Sequence, residues 1–169
     1  MNTYCLFCQT QRCKVIAQLL QVMGIEEAFS PQIIRRQRKK GANVEVSYDL
    51  LPGYVFFYTE EEILDPRFFY GIDGIIRRVG RSDEGWQLQG ADREFSLQLL
   101  ERHGRVGTQR VFQEGEQVVL TDPLFLGCQG RVTRVDYRKM RARVDFVFNE
   151  MDCHTWIAIE DVDPSTETP

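Results

Sequence analysis

Residues 50–59 read Leu50-Leu51-Pro52-Gly53-Tyr54-Val55-Phe56-Phe57-Tyr58-Thr59. Pro followed by Gly is a turn signal, since Pro presets φ and Gly accepts positive φ. The five residues after the turn are all β-branched or aromatic, with no polar residue among them. Such a run is expected of a strand covered on both faces, at the middle of a sheet. Moving toward the N-terminus, Val44 to Tyr48 reads as one arm of a hairpin and Glu27 to Ile34 as a strand leading into it, with Gly41, Ala42 and Asn43 near the turn. The basic run Arg35 to Lys40 therefore projects on that hairpin. Further back, Val15, Ile16, Leu19, Leu20, Val22 and Met23 recur at helical spacing after a capping Thr10, and Gly24 ends the helix. Thr3 to Gln9, aromatic and apolar, is the first strand.

Moving toward the C-terminus, Thr59 with Glu62 makes a capping-box pattern and Asp65-Pro66 offers a second helix start, with Phe68 and Phe69 carried inward. Ile75 to Val79 resumes a strand, Trp86 to Gln89 reads as a short one, and Asp92 caps a helix with Phe95, Leu99 and Leu100 on one side. Strands mixed with helices predict an α+β sandwich of ferredoxin-like type, with helices on one face of the sheet, over residues 1–103. From 104 to 113 periodicity stops and Gly104 and Gly107 interrupt a polar stretch, as in a linker.

The remainder differs in kind. Val118 to Thr121, Arg131 to Val135, Arg141 to Phe148 and Thr155 to Ile159 are short strand patterns without a helical stretch, so 114–164 is expected to form a small SH3-like β-barrel, followed by a tail over 165–169. In Arg141 to Phe148 the alternation puts Ala142, Val144, Phe146 and Phe148 inside and Arg141, Arg143 and Asp145 outside. Val132 and Val135 are three apart, which breaks period two and predicts a bulge. Tyr137 to Met140 is the turn that exposes Arg138 and Lys139.

The chain has 169 residues, 43% of them hydrophobic, and a formal net charge of -4. Overall charge exerts no pull toward nucleic acid, so any polyanion contact falls to a local patch. Arg35, Arg36, Arg38, Lys39 and Lys40 form one such patch. Arg131, Arg134, Arg138, Lys139, Arg141 and Arg143 form the other, with Asp136 the only acid among them. Either cluster is also explained as a solvated hairpin. No signal peptide or membrane span is legible, and five cysteines without framework spacing suit a reducing cytosol. Cys5 and Cys8 form a CxxC, yet on a strand they point to opposite faces, so neither a metal nor a cofactor is expected. The two histidines, His103 and His154, belong to no catalytic motif, and Cys153-His154 diverge on a strand. An enzyme is not expected.

Two segments carry a family resemblance. Glu114 to Leu120, Gly127 to Gly130, Val132 and Val135 to Lys139 resemble the KOW motif that closes NusG proteins, while Leu50 to Phe56 and Tyr4 to Gln9 are similar to signature segments of the NusG N-terminal domain. The resemblance implies a bacterial, cytoplasmic, monomeric transcription elongation and antitermination factor without a cofactor. Its N-terminal domain would grip the clamp helices of RNA polymerase through Tyr4, Phe7, Leu51, Pro52, Gly53, Tyr54 and Phe56. Tyr54 is expected at the edge of that surface, and Phe56 is equally explained as core. The barrel would dock a small-subunit ribosomal protein, the termination factor Rho, or RNA, with Leu124, Phe125 and Phe148 at the matching positions. The basic clusters would touch RNA or non-template DNA. Asp122-Pro123 without an intervening Gly, Asn149 where Gly is frequent, and Gln9-Thr10-Gln11-Arg12 without Gly depart from the pattern and point to a specialised paralogue resembling RfaH or LoaP. A ribosome-associated RNA-binding KOW protein is the alternative.

Overall fold

The structure is a computed structural model and describes residues 1–63, 65–80 and 85–161. The expected tail and the last three residues of the expected barrel lie outside the described residues. In chain order the elements are β1 (Asn2–Cys8), a 3-10 turn (Thr10–Arg12), α1 (Cys13–Val22), β2 (Glu27–Phe29), β3 (Gln32–Lys39), β4 (Ala42–Asp49), β5 (Tyr54–Thr59), a 3-10 turn (Pro66–Phe69), β6 (Ile75–Val79), α2 (Gly90–Glu101), β7 (Arg105–Val106), β8 (Gln109–Glu114), β9 (Gln117–Leu120), α3 (Pro123–Leu126), β10 (Arg131–Asp136), β11 (Arg141–Phe148) and β12 (Met151–Asp161). The fold is mixed α and β, with strands dominant. It divides into two compact units, one made of Met1–Pro31 and Leu51–Gly104, the other of Gln32–Leu50 and the chain from Arg105 onward.

In the first unit β2, β5, β1 and β6 lie side by side in that order, every neighbouring pair antiparallel. β5 is an interior strand, as its uninterrupted apolar run predicts, and Tyr54 to Tyr58 are all buried. Its two faces meet different partners. Val55 and Phe57, with Tyr4, Leu6 and Cys8 of β1, pack on Cys13, Ile16, Ala17 and Leu20 of α1. On the other face Phe56 meets Phe95 of α2 edge-on at 6.3 Å, and the Tyr58 hydroxyl donates to the Ser96 carbonyl at 2.7 Å. The expectation of helices on one face only is therefore corrected. A strand as apolar as β5 needs cover on both sides, and α2 supplies the second.

The expected Thr10 cap is replaced by the 3-10 turn, and no side chain caps α1. Its C-terminus closes as predicted. Gly24, at φ 101°, and Ile25 return their N–H groups to the Gln21 and Leu20 carbonyls at 3.0 Å each, a Schellman closure that only a residue tolerant of positive φ permits. Of the apolar stripe on α1, Ile16 and Leu20 are buried, while Val15, Leu19, Val22 and Met23 are exposed. The helix expected around Phe68 shrinks to one 3-10 turn started by Asp65, whose carboxylate accepts from the Arg67 N–H at 2.9 Å. Thr59 caps nothing and donates to the Glu61 carbonyl. Likewise Asp92 lies inside the first turn of α2 instead of capping it, and the short strand expected at Trp86 to Gln89 is a single bridge between Tyr4 and Gln87.

In the second unit β3 and β4 form a hairpin whose two-residue turn, Lys40-Gly41, has φ 48° and 80°, the left-handed pair that matches strand twist. The single strand expected over Glu27 to Ile34 is in fact two, β2 and β3, split at Pro31. β7 joins β3 in parallel, Gln32 opposite Arg105 and Ile33 opposite Val106. The remaining strands run β10-β11-β12-β8-β9, and the sheet curls until its outer strands approach each other, a nearly closed, barrel-like form. Alternation along β11 is as predicted, with Ala142, Val144, Phe146 and Phe148 buried. The predicted bulge in β10 falls between Val132 and Arg134. The stretch 104–113, expected to be a linker, contains β7 and most of β8. β7 pairs with β3, and β8 with β12 and β9, so this polar stretch is part of two sheets.

Candidate functional site

Gly53 sits at φ 89°, and a side chain there would meet the Phe7 ring at 2.9 Å and the Cys8 carbonyl oxygen at 3.1 Å. The Cys8 N–H donates to the Gly53 carbonyl at 2.7 Å, which locks the Pro52-Gly53 turn onto the end of β1. Phe7 and Tyr54 are register partners and their rings lie 5.1 Å apart. On the other side of Phe7, its β6 partner Arg77 holds its guanidinium 5.4 Å from the ring centroid. The result is a small surface of half-buried Phe7, exposed Pro52 and exposed Arg77, backed by Tyr54, which is 9% exposed. An aromatic pair and a cation over a ring each contribute about 1 kcal/mol, enough to hold these side chains in one arrangement.

Four of the seven residues expected at the polymerase surface lie elsewhere or lie deep. Tyr4 is fully buried, stacked on Phe57 at 5.0 Å and against Trp86 at 4.7 Å, with its hydroxyl accepting from the Ile63 N–H at 3.0 Å. Phe56 is fully buried against Phe95. Leu51 is 4% exposed, and Gly53 contributes shape, not contact. Tyr4 and Phe56 are therefore corrected to core residues: strand alternation says which residues share a face but not whether a helix covers that face.

The barrel docking set is corrected in the same way. Leu124 and Phe125 are fully buried and Phe148 is 1% exposed. The loop at Asp122-Pro123 is the start of α3, with Asp122 accepting from the Leu124 N–H at 2.8 Å and Pro123 at the first helical position. That turn rotates Leu124 and Phe125 inward, where Phe125 meets Phe146 at 5.7 Å, and leaves Leu126 exposed instead. Asp-Pro is a legible helix start, so this signal was present in the sequence.

The basic residues fall into two groups within the second unit. On the hairpin, Arg36, Arg38, Lys39 and Lys40 are exposed, while Arg35 is half-buried over the Tyr48 ring at 5.8 Å and donates to the Lys139 carbonyl at 3.5 Å. On the barrel, Arg131, Arg134, Arg138 and Lys139 are exposed and Arg141 and Arg143 are half-buried. Arg143 pairs with Asp145 at 2.9 Å, and that hydrogen bond holds the Asp145 carboxyl below the ordinary range. Arg141 lies over the Trp156 ring at 4.4 Å. Trp156 is a residue that sequence reading missed: one aromatic in a strand pattern gives no sign of which face it takes until the register is known.

Cys5 and Cys8 are both buried, and among the described residues no group of three His, Cys, Asp or Glu side chains is placed to hold a metal. Cys153 pairs with Phe146 and His154 with Asp145, opposite faces of β11, so they do not act together. No helix among the described residues is long and apolar enough to cross a membrane. No protein-family model matches the chain, and no curated protein matches it.

Proposed function

We propose that this protein is a transcription elongation factor of the NusG type. Its first unit binds the clamp helices of RNA polymerase and promotes processive elongation and antitermination, and its barrel recruits a further partner, a ribosomal protein, Rho or RNA. It is a cytoplasmic bacterial monomer, works without catalysis or cofactor, and resembles the specialised paralogues more than a general factor. The antiparallel order β2-β5-β1-β6, with α1 crossing between β1 and β2, supports reading the first unit as a ferredoxin-like sandwich. The curled sheet carrying the KOW-like segment supports an SH3-like barrel after it.

The observation that carries the reading is the Pro52-Gly53 turn locked against Phe7. It lies inside the NusG-like signature, and it presents a rigid apolar point with a cation beside it. Partner helices are gripped by such pre-ordered aromatic anchors. Core RNA polymerase should be retained by the immobilised full chain. Phe7→Ala and the surface change Pro52→Glu should each weaken retention about tenfold while circular dichroism stays unchanged. A native chain with no affinity for core polymerase overturns the proposal.

The ribosome-associated alternative is favoured by the arginines on the barrel. Tight binding to naked ribosomal RNA by a chain that ignores polymerase would select it.

A further inference from the structure

β4 reads Ala42-Asn43-Val44-Glu45-Val46-Ser47-Tyr48-Asp49, a strict alternation in which every second residue is apolar. Such a pattern belongs to a strand with one face covered and the other wet. Here the apolar face is open to solvent: Val44 is 39% and Tyr48 44% exposed, Ala42 is exposed, and Val46 is half-buried. Both acids of the opposite face are engaged within their own sheet, Glu45 by Arg105 and Asp49 by the Gln32 side-chain amide at 2.6 Å. Register places a second row beside the apolar one. Arg35 lies opposite Val46, Gln37 opposite Val44 and Lys39 opposite Ala42, so these three share the face with Tyr48, and no acidic residue does. Tyr48 is held in place there. The Arg35 guanidinium stands 5.8 Å from its ring centroid, and the Gln37 amide donates to its hydroxyl at 3.0 Å.

We propose that this face of the β3–β4 hairpin docks an amphipathic helix of a partner protein, its apolar stripe on Val44, Val46 and Tyr48 and an acidic flank over Arg35 and Lys39. The apolar row alone would accept many covers, and the cations beside it select among them. A second copy of the same face would set two cationic rows in one interface with no acid to meet them. A strand added at the β4 edge would use the backbone but leave the valines as open as before. Nucleic acid would use the cations and gain nothing from the apolar row. The dimensions fit a helix. From Ala42 to Tyr48 the row runs about 20 Å at about 3.4 Å per residue, the length of about 14 helical residues. The two rows are about 4.8 Å apart, so a helix about 10 Å wide spans both. A pre-ordered tyrosine flanked by valines is the kind of anchor that carries binding energy. The inference goes beyond the polymerase reading, because it rests on the hairpin alone.

The test is a fluorescence anisotropy titration of the full chain with a labelled model peptide of about 14 residues, the length of the row. The peptide carries leucines along one helical stripe and glutamates on its flank. It should bind more tightly than a scrambled peptide of the same composition or one with lysine in place of glutamate. Val44→Thr/Tyr48→Thr keeps β-propensity while removing the apolar contact, and should lower affinity about tenfold with circular dichroism unchanged. Lys39→Glu should lower it about fivefold. The charge-matched Arg38→Glu changes the neighbouring residue, which lies opposite Asn43 on the other face, and should lower it distinctly less. A mixed-sequence DNA duplex and phosphatidylglycerol vesicles are added as competitors, and each should displace the labelled peptide less effectively than the unlabelled peptide does. A model helix that does not bind, a scrambled or lysine peptide that binds as tightly, or full affinity in Val44→Thr/Tyr48→Thr overturns the proposal. So do equal losses in Lys39→Glu and Arg38→Glu, or more effective displacement by duplex or vesicles.

Discussion

Burial governs the chemistry of single residues in the first unit. It pushes the Cys8 thiol from 9.0 up to about 12, and it raises Cys5 and the Tyr58 hydroxyl as well. Groups whose pKa is higher folded than unfolded contribute fully below the unfolded value and lose that contribution as pH climbs toward the folded one. The chain should therefore be insensitive to pH between 7 and about 9, then lose up to about 1.4 kcal/mol per pH unit for each such thiol above that. Urea midpoints measured from pH 7 to pH 11 check this, and a flat profile contradicts it. Sequence alone placed Cys5 and Cys8 on opposite faces, because alternation is a local property. It could not place Tyr4 or Phe56. Whether an aromatic on a strand is buried depends on what covers its face, and the covers, Phe95 of α2 over Phe56 and Trp86 against Tyr4, come from residues far along the chain.

Elements were legible in proportion to their length and regularity. β11, with eight residues in strict alternation, is where its pattern puts it. α3, four residues long, is too short to show a period, and the two-residue β7 is defined only by its distant partner. The irregularity of β10 was readable because Val132 and Val135 break the alternation, and its role is now apparent. Thr133 is the inserted residue: the ladder pairs Val132 with Val144 and then Arg134 with Arg143. Without the insertion the same pairs would form a regular ladder, with both arginines still outward. The extra residue thus serves curvature, since a bulge bends and twists the strand that carries it. Deleting Thr133 should lower stability by about 1 kcal/mol, the common size of a single-site change. Thermal unfolding tests this, and an unchanged midpoint contradicts it.

At the scale of the whole molecule, the division into units does not follow the chain. The hairpin β3–β4 is inserted between two segments of the first unit, yet it belongs with the segment that begins at Arg105. No composition shift could reveal this, because it rests on contacts remote in sequence, among them the parallel pairs Gln32–Arg105 and Ile33–Val106, some seventy positions apart, and the Arg35 bond to the Lys139 carbonyl. A fragment ending at Gly104 should therefore keep the β2-β5-β1-β6 sheet but leave β3 without its β7 neighbour. Hydrogen exchange should show slow amides in β1 and β5 and markedly faster exchange around Ile33 than in the full chain. Equal protection of Ile33 in both would show that the hairpin needs nothing beyond residue 104. The insertion also bears on how such a chain can be recombined. A crossover at residue 104 between two homologous genes would inherit the hairpin from one parent and β7 with the barrel from the other. The graft point suggested by chain order is then the one that mixes parentage inside a single folding unit, and functional chimaeras should need residues 32–50 to travel with the C-terminal piece.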